Sequence, residues 1–144
     1  MIYLKTDDEI ELLRENNILV SKTLAEVGRH LKPGITTREL DKIAEDFIRS
    51  HGATPPCLGY EGYPAATCIS VNEQVVHGIP SDYVIKDGDI VSVDLCTFMK
   101  GFVGDSAYTF AVGEVSDEVK QLLAVTKEAL YKGTAQAKVG NRVG

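Results

Sequence analysis

Two strand-like runs, Ile90–Phe98 and Phe102–Val112, each carry one aspartate in an otherwise apolar interior: Asp94 and Asp105. Aspartate is depleted in strands, and a carboxylate buried without a partner is costly. The loop between the runs decides what this pair can do. A two-residue loop at Met99-Lys100 sets Asp94 directly opposite Asp105, and one at Lys100-Gly101 displaces them diagonally by one pair. In both registers the carboxylates share a face of the sheet. A three-residue loop would put them on opposite faces. Two carboxylates on one face repel unless a proton or a cation sits between them, and a hard divalent cation held by oxygen atoms suits them. Two ligands do not complete a catalytic metal site, which also needs further ligands and an open position for water. A plainer reading leaves both side chains solvated on an open face, or pairs Asp105 with a nearby lysine. Gly104 beside Asp105 marks a bulge or a close approach.

The hairpin sits in a larger pattern. Thr6-Asp7-Asp8-Glu9 is a capping box that opens a helix over 6–31, with Ile10, Leu13, Val20, Leu24, Val27 and Leu31 near helical spacing. Lys32-Pro33-Gly34 stops it. A second box, Thr36-Thr37-Arg38-Glu39, opens an amphipathic helix through Leu40, Ile43, Ala44, Phe47 and Ile48, with Gly52 as its stop. Irregular sequence over 53–64 leads to a first strand at Thr67–Val71. Asp87-Gly88 is a turn signal before the second strand, and a last helix is expected from near Ser116 to about Lys138. The order α-α-β-β-β-α gives an α+β class with a mostly antiparallel sheet. A weak repeat aligns Leu24 with Leu130, Lys32 with Lys138 and Gly34 with Gly140, as if a second copy begins near the end of the sequence.

Composition narrows the function classes. At 144 residues, 44% hydrophobic and 25% charged, the chain suits one globular domain rather than a disordered, collagenous or disulfide-knotted one. A net charge of −6 disfavours general binding to nucleic acid or anionic membrane. No signal peptide and no membrane-spanning run is visible, and the sparse cysteines Cys57, Cys68 and Cys96 suggest reduced thiols in a cytoplasmic compartment. They form no CxxC pair, so a structural zinc site is not expected, and nothing marks a cysteine nucleophile.

His77 lies in the apolar loop Val76-His77-Gly78-Ile79-Pro80, where an imidazole could donate to a substrate carbonyl or shuttle a proton. A histidine tied to backbone is the alternative. His30 and His51 close helices, where the dipole favours a cation. Cys57, Tyr60, Tyr63 and Cys68 could line a soft apolar pocket suited to a thioether, or simply form a packed loop over the sheet.

Together, Gly59-Tyr60-Glu61-Gly62-Tyr63-Pro64, Cys68-Ile69-Ser70-Val71-Asn72-Glu73, Val76-His77-Gly78-Ile79-Pro80, Val93-Asp94-Leu95 and Gly101-Phe102-Val103-Gly104-Asp105 resemble the methionine aminopeptidases of the type I, bacterial-like short form. The resemblance runs along the whole chain. It implies a pita-bread fold, two pseudo-symmetric halves around a curved antiparallel sheet covered by helices. It also implies removal of the initiator methionine from nascent polypeptides by water activated between two divalent ions of the Co, Mn, Fe or Zn class. By this similarity Asp94 binds one metal and Asp105 bridges both. His77 is the catalytic, substrate-contacting histidine, and Cys57, Tyr60, Tyr63 and Cys68 wall the methionine pocket. Glu61 stands where many relatives carry a histidine or a neutral residue.

The family uses five metal ligands, and the resemblance assigns the other three, a His and two Glu, to a second half, with a further active-site histidine. Residues 1–144 therefore read as the N-terminal portion of one catalytic domain whose C-terminal portion is absent. The complete protein is expected to be a cytoplasmic monomer acting on nascent chains, with ribosome association. The isolated chain is expected to be nearly inactive and to self-associate through exposed apolar surface. A non-catalytic binding module of the same fold, or a proline-directed peptidase, are the competing readings. Retention of both aspartates and the Tyr60–Tyr63 motif weigh against them.

Overall fold

Both capping boxes form. Thr6 Oγ1 accepts from the Glu9 amide at 3.3 Å while Glu9 accepts from the Thr6 amide at 2.8 Å, and Thr36 and Glu39 repeat the exchange at 3.2 and 2.8 Å. They open helices α1 (Asp7–His30) and α2 (Thr37–Ser50). These come from a computed structural model that describes residues 3–142. Met1, Ile2, Val143 and Gly144, which end the two terminal stretches considered above, lie outside the described residues. Strands β1 (Thr67–Val71), β2 (Ile90–Met99) and β3 (Phe102–Ala111) form one antiparallel sheet in that order, followed by α3 (Asp117–Thr134). Among the described residues, no helix is long and apolar enough to cross a membrane.

One face of the sheet carries the core. Val91, Val93 and Leu95 of β2 and Ile69 and Val71 of β1 are buried with Leu19, Val20, Leu24 and Val27 of α1 and Leu40, Ala44 and Ile48 of α2. The first turns of α1 contribute less than the periodicity suggests, since Ile10 is 42% exposed. Among the described residues, α1 and α2 are the helices that cover the sheet. Helix α3 buries no side chain, and it ends at Thr134 rather than near Lys138. Gly133 and Thr134, both weak helix formers, close it. The aligned glycines Gly34 and Gly140 do share a left-handed backbone, with φ of +96° and +93°.

The hairpin takes the two-residue loop at Lys100-Gly101. Both residues have positive φ, +53° and +86°, as a hairpin turn whose twist matches right-twisted strands requires. Met99 therefore pairs with Phe102, Asp94 with Ala107, and Cys96 with Asp105. The ladder is continuous through Gly104, so that glycine is not a bulge. It is a close approach: a Cβ there would lie 2.9 Å from the Asn16 carbonyl carbon of α1.

β1 is an edge strand, and its outward amides need partners from elsewhere. Thr67 N–H donates to Asp41 Oδ1 at 2.8 Å, Ile69 N–H to the Gly78 carbonyl at 2.8 Å, and Val71 N–H to Gln74 Oε1 at 2.9 Å. The Gly78 amide returns to Ser70 Oγ at 3.0 Å. A Cβ on Gly78 would fall 2.2 Å from the Ile69 carbonyl oxygen, a backbone atom that cannot step aside. Gly78→Ala should therefore cost about 1–3 kcal/mol and lift the loop from the strand. Loss of protection at the Ile69 amide in hydrogen exchange, with the β2–β3 ladder still protected, is the expected result.

Asp89 ties the loop ahead of β2 to the end of β1. Its carboxylate accepts from Asn72 Nδ2 at 2.9 Å, Tyr83 Oη at 3.1 Å and the Lys86 amide at 2.9 Å. Burial alone would raise its pKa, but these hydrogen bonds outweigh burial and hold it below the usual carboxylate value. A depressed folded pKa contributes stability that is present above the unfolded pKa, about 3.9, and lost as pH falls through the folded value. Asp89→Asn should cost about 1–3 kcal/mol at pH 6. The gap from wild type in urea midpoint should narrow as pH falls from 6 towards 3.

Candidate functional site

The face of the sheet away from the helices holds the two aspartates. Ser92, Asp94 and Cys96 alternate with the buried Val91, Val93 and Leu95. The register puts Cys68, Asp94 and Ala107 in one row across the three strands, and Cys96 and Asp105 in the next. Asp94 and Asp105 thus lie diagonally on one face, as the two-residue turn at Lys100-Gly101 demands. Asp94 is half-buried and Asp105 exposed. Helix α1 sets the position of Asp105: the Asn17 side chain accepts from its amide at 3.3 Å, beside the contact that Gly104 permits.

Electrostatics strain this pair. Burial pushes the Asp94 carboxyl up, the charge of Asp105 adds to that, and His77 partly offsets it. A cation shared with Asp105 would relieve both effects. The donor chemistry fits a hard divalent ion, with two carboxylates on one face and, among the described residues, no lysine bonded to either. Among the described residues no group of three or more His, Cys, Asp or Glu could hold a metal, and Asp94 and Asp105 stand as a pair.

A cavity of about 700 Å³ opens beside them, lined by Cys57, Tyr60, Tyr63, Cys68 and His77, with Val103 from β3. All four proposed pocket residues and His77 therefore meet at one place. Cys68 joins the two parts of the site, since it lines the cavity and pairs with Asp94 across the ladder. Tyr63 is the best anchored wall. Its hydroxyl donates to the Thr67 carbonyl at 3.0 Å and approaches the Gly78 carbonyl at 3.4 Å. Burial raises the Tyr63 pKa, and its contact with Cys68 raises it further, so it stays a neutral phenol. Tyr60 is 69% exposed and forms the outer rim. Next to it Glu61 holds a left-handed φ of +48° and faces the cavity mouth.

His77 also holds a left-handed backbone, with φ +57°. Such a conformation is uncommon outside glycine and often accompanies a functional constraint. The loop is held by Gly78 on β1, which leaves the His77 ring free of side-chain hydrogen bonds among the described residues. His30 and His51 instead bond carbonyls of their own helices, Glu26 at 3.0 Å and Phe47 at 2.8 Å.

Cys96 and Cys68 are not activated. Burial pushes Cys96 well up, and neighbouring Cys57 and Asp105 push it further. Burial also raises Cys68, with the Tyr63 hydrogen bond opposing and Asp94 adding. Sequence reasoning missed the roles of Asp41, Asn17 and Gly78, which support the site through bonds to the backbone of Thr67, Asp105 and Ile69, with Asp41 also bonded to the Thr67 hydroxyl. The Gly next to His77 was the one local signal for the loop clamp.

Comparison with known proteins places this geometry. The signature of metallopeptidase family M24 matches residues 11–144. Methionine aminopeptidase 1 of Bacillus subtilis is 50% identical over 143 residues, covering 99% of this chain and 58% of the relative. The crystal structure of methionine aminopeptidase from Rickettsia prowazekii superposes with a TM-score of 0.90 at 38% identity, over 92% of this chain and 54% of that one. The Xaa-Pro dipeptidase from Bacillus anthracis superposes less well, with a TM-score of 0.79 at 30% identity over 90% of this chain and 35% of that one. The chain thus spans less than two thirds of the length of each. Its architecture is the α+β, pita-bread arrangement of these neighbours, as the motifs imply. With nearly its whole length matched, the chain belongs to metallopeptidase family M24, whose members depend on divalent metal.

Proposed function

We propose that the whole protein removes the initiator methionine from new polypeptides. The observation that carries this reading is the junction at Cys68, where an apolar, sulfur- and tyrosine-lined cavity meets two same-face carboxylates. The cavity has the character to accept an unbranched thioether side chain and to refuse charged ones. In this reading Asp94 and Asp105 would be among the residues that hold divalent ions of the Co, Mn, Fe or Zn class. Such ions supply Lewis acidity towards a peptide carbonyl and towards water.

The chain's own residues do the rest. Cys57, Tyr60, Tyr63 and Cys68 seat the methionine side chain. His77, displayed on its clamped loop, hydrogen-bonds the substrate backbone and orients the scissile carbonyl. In this reading the protein works in the cytoplasm, where chains emerge from ribosomes, as a monomer. Residues 1–144 form the N-terminal portion of its catalytic domain, and alone they are nearly inactive. Leu122, Val125, Leu130 and Tyr131 of α3 are each more than half exposed and would drive self-association of the isolated chain.

A chimera tests both parts. Residues 1–144 are joined to the remaining portion of the Bacillus subtilis relative and assayed on a Met-Ala-Ser peptide with Mn(II). The chimera should release methionine, lose activity with EDTA, and lose more than about a hundredfold with Asp105→Ala. A folded chimera that releases no methionine refutes the function. Robust turnover by residues 1–144 alone, abolished by Asp105→Ala, refutes the account of an incomplete site.

A further inference from the structure

Of the acids outside the face of Asp94 and Asp105, the buried Asp89 only ties loops together, whereas the half-buried Asp41 reaches the cavity through one intermediate. Asp41 lies on α2 and turns to the start of β1. Its Oδ1 accepts from both polar hydrogens of Thr67, the amide at 2.8 Å and the hydroxyl at 2.7 Å. Thr67 is fully buried, so neither hydrogen can turn to water instead. The third polar group of Thr67, its carbonyl, accepts from the Tyr63 hydroxyl. Thr67 thus carries Asp41 on one side and a cavity wall on the other. The residue after it, Cys68, is another wall and faces Asp94.

We propose that Asp41 is a positioning residue for the cavity: by fixing Thr67 it fixes the Tyr63 ring and the Cys68 side chain, and so sets the fit for an unbranched side chain. This rests on the reading of the cavity as a methionine pocket. Asp41 does not touch the substrate. Its carboxylate is needed for acceptor geometry, and an Asn side chain can keep the same oxygen in place. Loss of the acceptor leaves two buried donors unsatisfied, which rotates Thr67 and releases Tyr63. Pocket fit discriminates between side chains that differ by little, so a small shift of one wall is read in selectivity.

The test measures binding of L-methioninamide and L-leucinamide to the 144-residue chain by NMR titration, with Asp41→Ala and Asp41→Asn as variants. Wild type should prefer methioninamide. Asp41→Ala should cut that preference roughly tenfold, and Asp41→Asn should keep it within about twofold. A merely structural role would lower the urea midpoint of Asp41→Ala but leave the preference of the folded protein unchanged, and that result overturns the proposal. Equal loss in Asp41→Asn also overturns it, because charge rather than acceptor geometry would then matter. If wild type shows no preference, the methionine reading fails and the Tyr63 ring decides the positioning claim. Its NOEs to Gly78 and Cys68 should persist in Asp41→Asn and vanish in Asp41→Ala. Their persistence in Asp41→Ala refutes the claim.

Discussion

The turn at Lys100-Gly101 constrains everything built on this sheet. Two consecutive residues with positive φ allow a hairpin without a bulge, and the register then runs unbroken to Ile90 and Ala111. Side chains alternate strictly, so one extra residue in that turn would send Asp94 or Asp105 into the helix-covered core. The same alternation puts Val91, Val93 and Leu95 under α1 and α2. Core and site are thus two faces of one register, and neither can slip without the other.

The second constraint is the free edge of β1. An edge strand must satisfy or hide its outward amides. Here three of them are met, one by Asp41 of α2 and two by Gln74 and Gly78 of the connection that follows β1. What would be a liability becomes the anchor for the loop of His77 and for the pocket wall at Tyr63. This explains why the cavity is shaped although its lining comes largely from irregular sequence. The His77 loop is held by backbone bonds to β1, and the loop over 57–63 by backbone bonds within itself.

Much of this was legible in the sequence. The capping boxes at Thr6 and Thr36 mark helix starts to the residue, because caps are local chemistry. The two Asp stand out because strands disfavour them, and parity alone restricts their register. The choice between the two loop positions needed the backbone of Lys100, a non-glycine residue in a left-handed conformation that no propensity announces. The extent of α3 was overestimated because Ala135, Gln136, Ala137 and Lys138 are good helix formers, whereas the weak pair Gly133-Thr134 ahead of them ends the helix. Asp41 was invisible for a different reason. On sequence it is one acid on a solvated helix, and only the tertiary meeting of α2 with Thr67 gives it a role.

The shared face of Asp94 and Asp105 is tested most directly by titrating the 144-residue chain with Mn(II) and following paramagnetic broadening of backbone amides. Amides of Cys68, Asp94, Asp105 and Ala107 should broaden together and before the exposed acids Asp7 and Asp8. Asp105→Asn should abolish the effect at Asp94 and Cys68 as well as at its own position. Broadening that starts at Asp7 and Asp8, or that persists at Asp94 in Asp105→Asn, would show that the two carboxylates do not act on one ion.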